Sequence, residues 1–413
     1  MRIPELLAPA GTMDSLRAAL HFGADAVYGG MKRFGLRAFA GNFDPEELAE
    51  AVALCHKAGK KFYVTMNIYP FDDEMDGFIS AAGLAAEIGV DAVIAADPGA
   101  IATLRKKVPG LPVHVSTQAN TVNAAAAGLY RDLGCERVIL AREMSMERIR
   151  AMKRTVGDGI ELETFVHGAS CMAYSGRCML SAYLSGRSGN RGECAQPCRW
   201  QYAVMEEKRP GEYMPVAEDE RGTYLFSARD LCLMPLLREL CEAGISSLKI
   251  EGRMKTEYYV AVVTGAYRRA LDLLAEAPER FAGALPGFME ELRCASHRLS
   301  DTGFLLGNPE APGEAEGFWQ SREYTARVVQ NAGEDGVARL LLKNRFHAGD
   351  ELELMTPEGV RKVTAKPFIR EKTGETLETL GVAGEIIRME LPGCRRGDML
   401  RGPVRNHRSE ASS

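Results

Sequence analysis

The stretch Ala92-Val-Ile-Ala-Ala-Asp-Pro-Gly-Ala-Ile-Ala-Thr-Leu-Arg-Lys-Lys-Val108 joins a short apolar run directly to an amphipathic pattern. Ala92–Ala96 is typical of a buried strand, and Gly99–Val108 is typical of the helix that follows it. The same alternation of strand and helix patterns recurs from Pro4 to Glu251. Eight strands with intervening helices predict an α/β fold, a (β/α)8 TIM-like barrel. A doubly wound open sheet is the alternative, because periodicity alone does not show that a sheet closes.

The predicted elements of this barrel are short and regularly spaced. The strands are predicted at Pro4–Pro9, Ala26–Tyr28, Lys61–Asn67, Ala92–Ala96, Val113–Thr117, Arg137–Leu140, Glu161–His167 and Ser247–Glu251. The helices are predicted at Met13–Phe22, Pro45–Ala58, Met75–Ile88, Gly99–Val108, Ala124–Leu133 and Ser145–Val156.

The chain of 413 residues is too long for one ordinary core, which predicts two domains. We assign residues 1–298 to the barrel, with a long insertion at about 168–240. Residues 299–321 are rich in Gly, Pro and acidic side chains, which is typical of a linker. A period-two pattern over 322–405 predicts a small C-terminal antiparallel β-barrel. Residues 406–413 are predicted to form a disordered tail.

The charge balance argues against non-specific nucleic-acid binding and allows binding at a local basic site. A net charge of −5 argues against a protein that coats nucleic acid indiscriminately, but it leaves room for a local basic site. Around the cysteines at 171–199 the balance reverses, because Arg177, Arg187, Arg191 and Arg199 stand against Glu193 alone. A polyanion or a small molecule with carboxylates fits such a segment, although local ion pairs between surface side chains are the alternative.

The sequence predicts a cytoplasmic protein without a membrane span. No apolar run reaches the roughly 18 residues that a span needs. The first residues lack the apolar region of a signal peptide and already resemble a strand and turn. In a reducing compartment, clustered thiols favour metal binding or redox work over disulfides.

Four of the ten cysteines lie within 28 residues, in Cys171-Met-Ala-Tyr-Ser-Gly-Arg-Cys178 and Cys194-Ala-Gln-Pro-Cys198, and Cys232 follows. Structural zinc sites usually use two close pairs, and only the second motif fits that rule. Irregular spacing with one distant ligand suits a [4Fe–4S] cluster at least as well. The spacing therefore favours an iron–sulfur cluster, with zinc as the alternative metal and no metal as a third outcome.

Polar residues stand at or just after the predicted strand ends, where a barrel places its active site. They are Tyr28, Asn67, Asp97, Gln118, Arg142, Glu143, His167 and Glu251. The cysteine run begins at the end of the seventh predicted strand, so we expect it to form a loop over the barrel mouth.

A peptidase is the second hypothesis. His167 precedes Cys171 by four residues, and a Cys–His pair is a known nucleophile arrangement. The sequence offers no obvious orienting third group, no His-Glu-x-x-His motif and no Gly-x-Ser-x-Gly elbow at a strand end. Protease chemistry is therefore poorly supported by these residues.

Four segments together resemble the U32 peptidase-like family. They are Glu163-Thr-Phe-Val-His-Gly-Ala-Ser-Cys-Met-Ala-Tyr-Ser-Gly-Arg-Cys-Met-Leu-Ser181, Gly189-Asn-Arg-Gly-Glu-Cys-Ala-Gln-Pro-Cys-Arg199, Ser227-Ala-Arg-Asp-Leu-Cys232 and Lys249-Ile-Glu-Gly-Arg-Met-Lys255. The opening Glu5-Leu-Leu-Ala-Pro-Ala-Gly11 is also similar to that family, and the resemblance covers nearly the whole chain.

The resemblance implies oxygen-independent hydroxylation rather than the proteolysis of the family name. The branch that this chain is most similar to is implied to form 5-hydroxyuridine at the wobble position of tRNA, with prephenate as the oxygen donor. It implies a [4Fe–4S] cluster held by Cys171, Cys178, Cys194 and a fourth thiolate. That fourth ligand is Cys232 in our preferred assignment and Cys198 in the alternative.

The resemblance and the charges suggest further site residues. Arg177, Arg191, Arg229, Arg253 and Lys255 are candidates for binding a dicarboxylate such as prephenate. Tyr174 or Phe34 could stack an unpaired base of the tRNA, with ordinary packing as the alternative. Glu163, His167 and Glu251 are candidates for proton transfer. The other hypotheses are a peptidase and a non-catalytic iron–sulfur subunit, and a protein partner of the same family is a further expectation. The electron donor is not identified.

Overall fold

The computed structural model describes residues 1–36, 41–171, 173–199, 217–219, 222–224, 229–307 and 318–405. The strands up to residue 301 are β1 (Glu5–Pro9), β2 (Ala26–Gly30), β3 (Lys61–Met66), β4 (Ala92–Ala95), β5 (Val113–Val115), β6 (Arg137–Ile139), β7 (Glu161–Ala169), β8 (Ala217–Asp219), β9 (Gly222–Tyr224), β10 (Asp230–Cys232), β11 (Ser247–Ile250) and β12 (Ser300–Asp301). The helices are α1 (Met13–His21), α2 (Pro45–Lys57), α3 (Met75–Ile88), α4 (Pro98–Lys107), α5 (Ala124–Asp132), α6 (Met146–Val156), α7 (Leu180–Ser185), α8 (Leu237–Glu242), α9 (Glu257–Glu276) and α10 (Phe281–Leu292). The predicted tail 406–413 and part of the predicted insertion lie outside the described residues.

Eight parallel strands close into a barrel in the order β11, β1, β2, β3, β4, β5, β6, β7. The closing pair joins β11 to β7, with Ser247 opposite Glu163, while β11 also pairs with β1. The predicted TIM-like barrel is confirmed, and the open sheet is excluded. The insertion adds β10, which pairs antiparallel with β7, so Cys232 stands opposite His167.

Polar caps start the barrel helices just after the strands end. The Thr12 hydroxyl accepts the N–H of Ser15 at 3.2 Å, and the Asp97 carboxylate accepts the N–H of Ala100 at 2.7 Å. Asp97, predicted among the polar residues of the mouth, is thus the cap of α4. The caps of α1, α2, α4, α5, α6 and α9 are Thr12, Asp44, Asp97, Asn123, Ser145 and Thr256. The N-terminal ends of these helices therefore surround the face at which the parallel strands end.

The barrel strands are buried on both faces, as parallel strands covered by helices must be. All five residues of β2 are buried. Glycine is required inside this strand, because a Cβ on Gly29 would lie 2.5 Å from the Phe43 ring and 2.9 Å from the Phe62 ring. The two rings meet edge to face, with centroids 5.7 Å apart. Such contacts fix the spacing between strands and helices below the mouth.

A separate C-terminal antiparallel domain follows, as predicted for 322–405. Its strands are β13 (Arg322–Gln330), β14 (Val337–Leu342), β15 (Phe346–His347), β16 (Glu351–Thr356), β17 (Gly359–Thr364), β18 (Phe368–Arg370), β19 (Thr376–Leu377), β20 (Thr379–Leu380), β21 (Ile386–Glu390) and β22 (Met399–Pro403). Eight of them form a sheet in the order β17, β16, β22, β13, β14, β21, β18, β19, and β15 pairs with β20. In the described strands no pairing joins β17 to β19, so the domain is a sheet around its own apolar core rather than a barrel closed by hydrogen bonds.

The predicted linker 299–321 is partly structured. Ser300 and Asp301 form β12, which pairs parallel with β10, and Trp319 pairs with His297. The start of this segment is held to the barrel next to Arg298, whose Nη2 donates to the Asp230 Oδ1 of β10 at 2.6 Å. Composition suggested a linker, but it could not show a two-residue strand held by a distant ion pair.

The C-terminal domain is held against the helices of the barrel by charged side chains. Glu257, the first residue of α9, binds Arg327, the Lys343 Nζ at 2.7 Å and the Tyr324 hydroxyl at 3.1 Å. Arg401 binds Glu291 of α10 at 2.8 Å. Within the part of the chain that is described, no helix combines the length and the apolar character needed to cross a bilayer.

Candidate active site

The cysteine segment lies over the barrel mouth, as predicted from its position after the seventh strand. We call residues 169–199 the cysteine lid. Near its start, the Ser175 N–H and hydroxyl both donate to the Glu143 carboxylate, each at 2.6 Å. Next, the Arg177 Nε donates to the carbonyl of Gln118 at 3.1 Å. These contacts attach the lid to the segments that follow β6 and β5.

A third attachment joins the lid to the segment after β3. Arg191 forms an ion pair with Glu74, with its Nη1 3.1 Å from Oε2, and its guanidinium lies 4.7 Å from the centre of the Phe71 ring. Hydrogen bonding to Arg191 lowers the pKa of the Glu74 carboxyl. Arg177 also hydrogen-bonds the Tyr69 hydroxyl and stacks on that ring. Both arginines therefore position the lid, a role that the sequence did not separate from substrate binding.

The thiols of the lid are accessible and partly oriented. Cys171 is exposed, and Cys178, Cys194 and Cys198 are half-buried. The sulfurs of Cys178 and Cys194 each accept a backbone N–H from the residue two positions ahead, at 3.4 Å. Such N–H···S bonds stabilise thiolates that ligate iron or zinc. A Cβ on Gly189 would lie 3.6 Å from the Cys194 sulfur and 3.9 Å from the Cys178 carbonyl oxygen, so this glycine lies between the two cysteine loops.

The donor chemistry of the lid fits a metal cluster, but the described residues form no preassembled cage. No three Cys, His, Asp or Glu side chains in the described part of the chain lie close enough to share one metal ion. Cys232 is buried in β10 rather than in the lid. Burial raises the pKa of its thiol, against a hydrogen bond with Tyr267 that lowers it. The assignment of all four ligands stays a prediction.

His167 lies in an apolar environment against helix α9. Its ring centre is 5.6 Å from that of Tyr267 and 6.2 Å from that of Tyr259. Burial lowers the pKa of His167 to about 4, although Asp230 raises it. The imidazole is therefore neutral near pH 7. No hydrogen bond in the described residues joins it to Cys171, so the Cys–His nucleophile pair is not assembled.

Glu163 lies inside the barrel within a buried ionic network. Its Oε1 is 3.1 Å from the Lys249 Nζ, and its Oε2 is 3.0 Å from the Arg137 Nη1. The same Nη1 is 2.6 Å from the Glu5 carboxylate. Burial raises the pKa of Glu163, but Lys249 and Arg137 outweigh it and keep the net pKa lowered. Glu163 is thus an ionised structural partner, and its predicted role in proton transfer stays a prediction.

Glu251 follows β11 at the mouth. Its Oε2 is 3.9 Å from the Arg142 Nη2, and the Arg142 guanidinium lies 4.1 Å from the centre of the Phe165 ring. Arg142 also donates to the carbonyl of Ala169 at 2.7 Å, where the lid begins. This arrangement places a carboxylate and a guanidinium side by side at the ends of three strands. It is the best-placed candidate for acid–base chemistry and for carboxylate binding.

The remaining predicted cations differ in what they contact. Arg253 is buried, and it donates to the carbonyl of Leu36 at 2.7 Å and to the Asn42 amide oxygen at 2.6 Å. Its guanidinium thus orders the loops after β2. Lys255 is half-buried, 5.1 Å from the Tyr259 ring centre and 5.0 Å from that of Phe318. Arg229, also half-buried, precedes β10.

The two candidates for base stacking differ in their exposure. Phe34 is buried and packs edge to face on Phe78 with ring centres 5.6 Å apart, so it does not offer a face to a base. Tyr174 is half exposed in the lid. The sequence analysis overlooked Tyr183 of α7, which is 82% exposed. A tyrosine in a six-residue helix between cysteines gave no periodic signal by which to find it.

Comparison with known proteins agrees with this architecture. The family model described as peptidase family U32 matches residues 11–315, and the model of the U32 C-terminal domain matches residues 320–401. The chain belongs to peptidase family U32.

Three U32 relatives illustrate the range of names in this family. The tRNA hydroxylation protein P of Escherichia coli (strain K12) is 39% identical over 404 residues, covering 86% of this chain and 87% of its own. The tRNA hydroxylation protein P1 of Bacillus subtilis (strain 168) is 38% identical, covering 94% of this chain and 92% of its own. A protein named collagenase from Porphyromonas gingivalis (strain ATCC BAA-308 / W83) is 31% identical, covering 86% of each chain.

Proposed function

We propose that this U32 protein is a tRNA-modifying hydroxylase. The observation that carries the proposal is the cysteine lid, attached by Glu143 and Gln118 to the strand ends of a closed barrel. Relatives named for tRNA hydroxylation match most of the chain at 38–39% identity, which supports the same substrate class here. Work on tRNA would take place in the cytoplasm.

The specific reaction that we propose is formation of 5-hydroxyuridine at the wobble position, with prephenate as the oxygen donor. Prephenate carries two carboxylates, and charge-assisted bonds to arginine are strong and directional. Arg142 is well placed to bind one carboxylate because Phe165 and Ala169 already fix its guanidinium. The half-buried Arg229 and Lys255 are the other candidates, whereas Arg177 and Arg191 attach the lid. Arg253 is committed to internal contacts.

We propose that Cys171, Cys178, Cys194 and Cys232 hold a [4Fe–4S] cluster, with Cys198 as the alternative fourth ligand and zinc as the alternative metal. The N–H···S bonds at Cys178 and Cys194 support thiolate ligands in the lid. When bound, such a cluster would supply one-electron transfer near the barrel mouth. A protein partner of the same family is part of the proposal.

The residues of the chain have distinct tasks in this proposal. The lid covers the mouth and limits the access of water, while Glu143 and Arg177 fix its position. Arg142 binds and orients the co-substrate. The Glu251 carboxylate, with its Oε2 3.9 Å from the Arg142 Nη2, is the candidate to accept a proton from the substrate. His167 is neutral and packed against tyrosines, so it stabilises the wall of the site rather than transferring protons.

The second candidate is a peptidase, which the collagenase relative favours. The separation of a buried His167 from an exposed Cys171 weighs against a thiol nucleophile activated by this histidine. We expect the purified protein to leave gelatin and casein intact. Cleavage that is lost in a Cys171→Ser variant would favour the peptidase.

Mass spectrometry of tRNA nucleosides tests the leading proposal. We expect 5-hydroxyuridine derivatives to disappear from a deletion strain that lacks redundant pathways and to return with the wild-type gene. A gene carrying Cys178→Ser should not restore them, whereas Cys55→Ala, at a buried cysteine in α2, should. Derivatives that persist in the deletion strain would rule out the tRNA assignment. Binding of iron without any effect on tRNA would favour a non-catalytic iron–sulfur subunit.

A further inference from the structure

Helix α7 in the cysteine lid has one buried and one exposed side. Ser181 is 1% exposed, and its hydroxyl accepts the N–H of Ala195, beside Cys194, at 3.0 Å. On the other side Met179, Tyr183 and Leu184 are exposed to 57%, 82% and 47%. Large apolar side chains exposed side by side are uncommon unless they contact a partner.

Two of the exposed residues share one side of the helix. The N–H of Tyr183 donates to the carbonyl of Met179 at 3.0 Å, so their side chains lie one turn apart on the same side. Leu184 follows, and Arg187 comes just after the helix and is exposed. We call Met179, Tyr183, Leu184 and Arg187 the α7 face.

We propose that the α7 face is a platform on which unpaired bases of the RNA substrate stack. This inference rests on the proposed function and specifies where a single-stranded loop of the RNA would bind. A tyrosine ring and an arginine plane stack on any base, whereas paired bases inside a duplex do not offer their faces.

Position and charge favour RNA over a protein partner. Ser175 and Arg191, which attach the lid to Glu143 and Glu74, lie on either side of α7 in the chain, so α7 belongs to the segment that is held over the barrel mouth. The lid contains four arginines and one glutamate in a chain whose net charge is −5. Arg191 is paired with Glu74, so the charge on the α7 face comes from exposed Arg187, whose Nε donates to the Glu193 carbonyl at 3.1 Å. A guanidinium beside exposed aromatic and apolar groups is complementary to a phosphate backbone with unstacked bases.

Binding of two RNA probes tests the platform. The first is a hairpin with an unpaired loop, and the second is a blunt duplex with the same stem sequence. We expect Tyr183→Ala to weaken hairpin binding about tenfold or more, since base stacking is lost. Tyr183→Phe should bind within about twofold of the wild type because its ring keeps the stacking face. Binding of the duplex should be the same for all three proteins.

The salt dependence separates stacking from charge. Arg187→Ala should lower the slope of log affinity against log salt by about 0.7 for one lost phosphate contact. Tyr183→Ala should lower the affinity and leave the slope unchanged. Leu129→Ala, at a residue of α5 that is 58% exposed, is the matched control and should bind both probes like the wild type. Equal melting temperatures would show that each variant folds.

Two results would overturn the platform. The first is that Tyr183→Ala binds the hairpin as tightly as the wild type does, although the wild type modifies tRNA. That result would leave the proposed function intact. The second is that Tyr183→Ala no longer self-associates or no longer binds a protein partner, while its RNA affinity is unchanged. That result would show that the α7 face binds protein rather than RNA. If the wild type neither binds the hairpin nor modifies tRNA, the platform and the proposed function both fail.

Discussion

The Glu143 carboxylate holds Ser175 by two hydrogen bonds of 2.6 Å, one from its N–H and one from its hydroxyl. Ser175 has a φ of 43°, a left-handed conformation that is costly for a residue with a side chain. The two hydrogen bonds to Glu143 therefore stabilise the turn between Cys171 and Cys178. Glu143, a single residue in the loop that follows β6, thereby sets the path of the lid.

Replacing this carboxylate should loosen the lid without unfolding the barrel. We expect Glu143→Ala to speed proteolytic cleavage between Cys171 and Cys194 severalfold and to lower tRNA modification. Glu147→Ala removes an exposed carboxylate from α6 and serves as the control. Limited proteolysis and nucleoside analysis are the measurements. Cleavage of Glu143→Ala at the wild-type rate would show that the contact with Ser175 does not hold the lid.

Iron content should divide the cysteines into two groups. We expect Cys171→Ser, Cys178→Ser and Cys194→Ser to lose most of the iron that the anaerobically purified wild type contains. Between Cys198→Ser and Cys232→Ser, the assignment predicts the larger loss in Cys232→Ser. Iron analysis with visible spectra measures this, and Cys55→Ala is the control. Equal iron in the wild type and all five variants would exclude a thiolate-bound cluster.

The buried network should make the barrel sensitive to the loss of one charge. Lys249→Met leaves Glu163 beside Arg137 with one partner fewer, and breaking a buried ion pair costs about 3–5 kcal/mol of unfolding free energy. The double variant Lys249→Met with Glu163→Gln should recover part of this stability, because no carboxylate is then left uncompensated. Urea unfolding at pH 7 measures both. Equal stability of Lys249→Met and the wild type would contradict the network.

The same network predicts a direction for acid unfolding. Its cations lower the pKa of the Glu163 carboxyl in the folded chain below the usual 4.5. The unfolded chain therefore takes up this proton first as the pH falls, and the stability that Glu163 contributes is lost in acid. In Glu163→Gln that part of the pH dependence should be absent.

His167 should stay neutral well below the usual range of histidine. Because its pKa is lowered from 6.5 to about 4, the unfolded state binds a proton between these values and the folded state does not. Stability is thus full above about pH 6.5 and falls by about 3 kcal/mol as the pH drops toward 4. An NMR titration of the imidazole measures the midpoint. A midpoint near 6.5 would contradict the buried environment.

Most of the barrel was predictable because its signals are local. Apolar runs and helix caps such as Thr12 and Asp44 lie within a few residues of the elements that they define, and the eight strands begin and end within two residues of the predictions. Burial is not local. The sequence could not show that Phe34 packs on Phe78 or that Glu163 meets Lys249, since these contacts join distant segments. Tyr183 was missed for a related reason, because exposure depends on what the rest of the chain leaves uncovered.

The helix caps around the mouth have an electrostatic consequence for a protein of net charge −5. Each helix carries a macrodipole with about half a positive charge at its N-terminus. The α5 cap Asn123 is uncharged and the first turn of α5 holds no acidic residue, so this helix leaves its partial charge uncancelled. In α1, α6 and α9 the first-turn residues Asp14, Glu147 and Glu257 offset it. The start of α5 is therefore the place on this face of an acidic barrel where an approaching phosphate would meet a partial positive charge, and added salt would weaken that attraction.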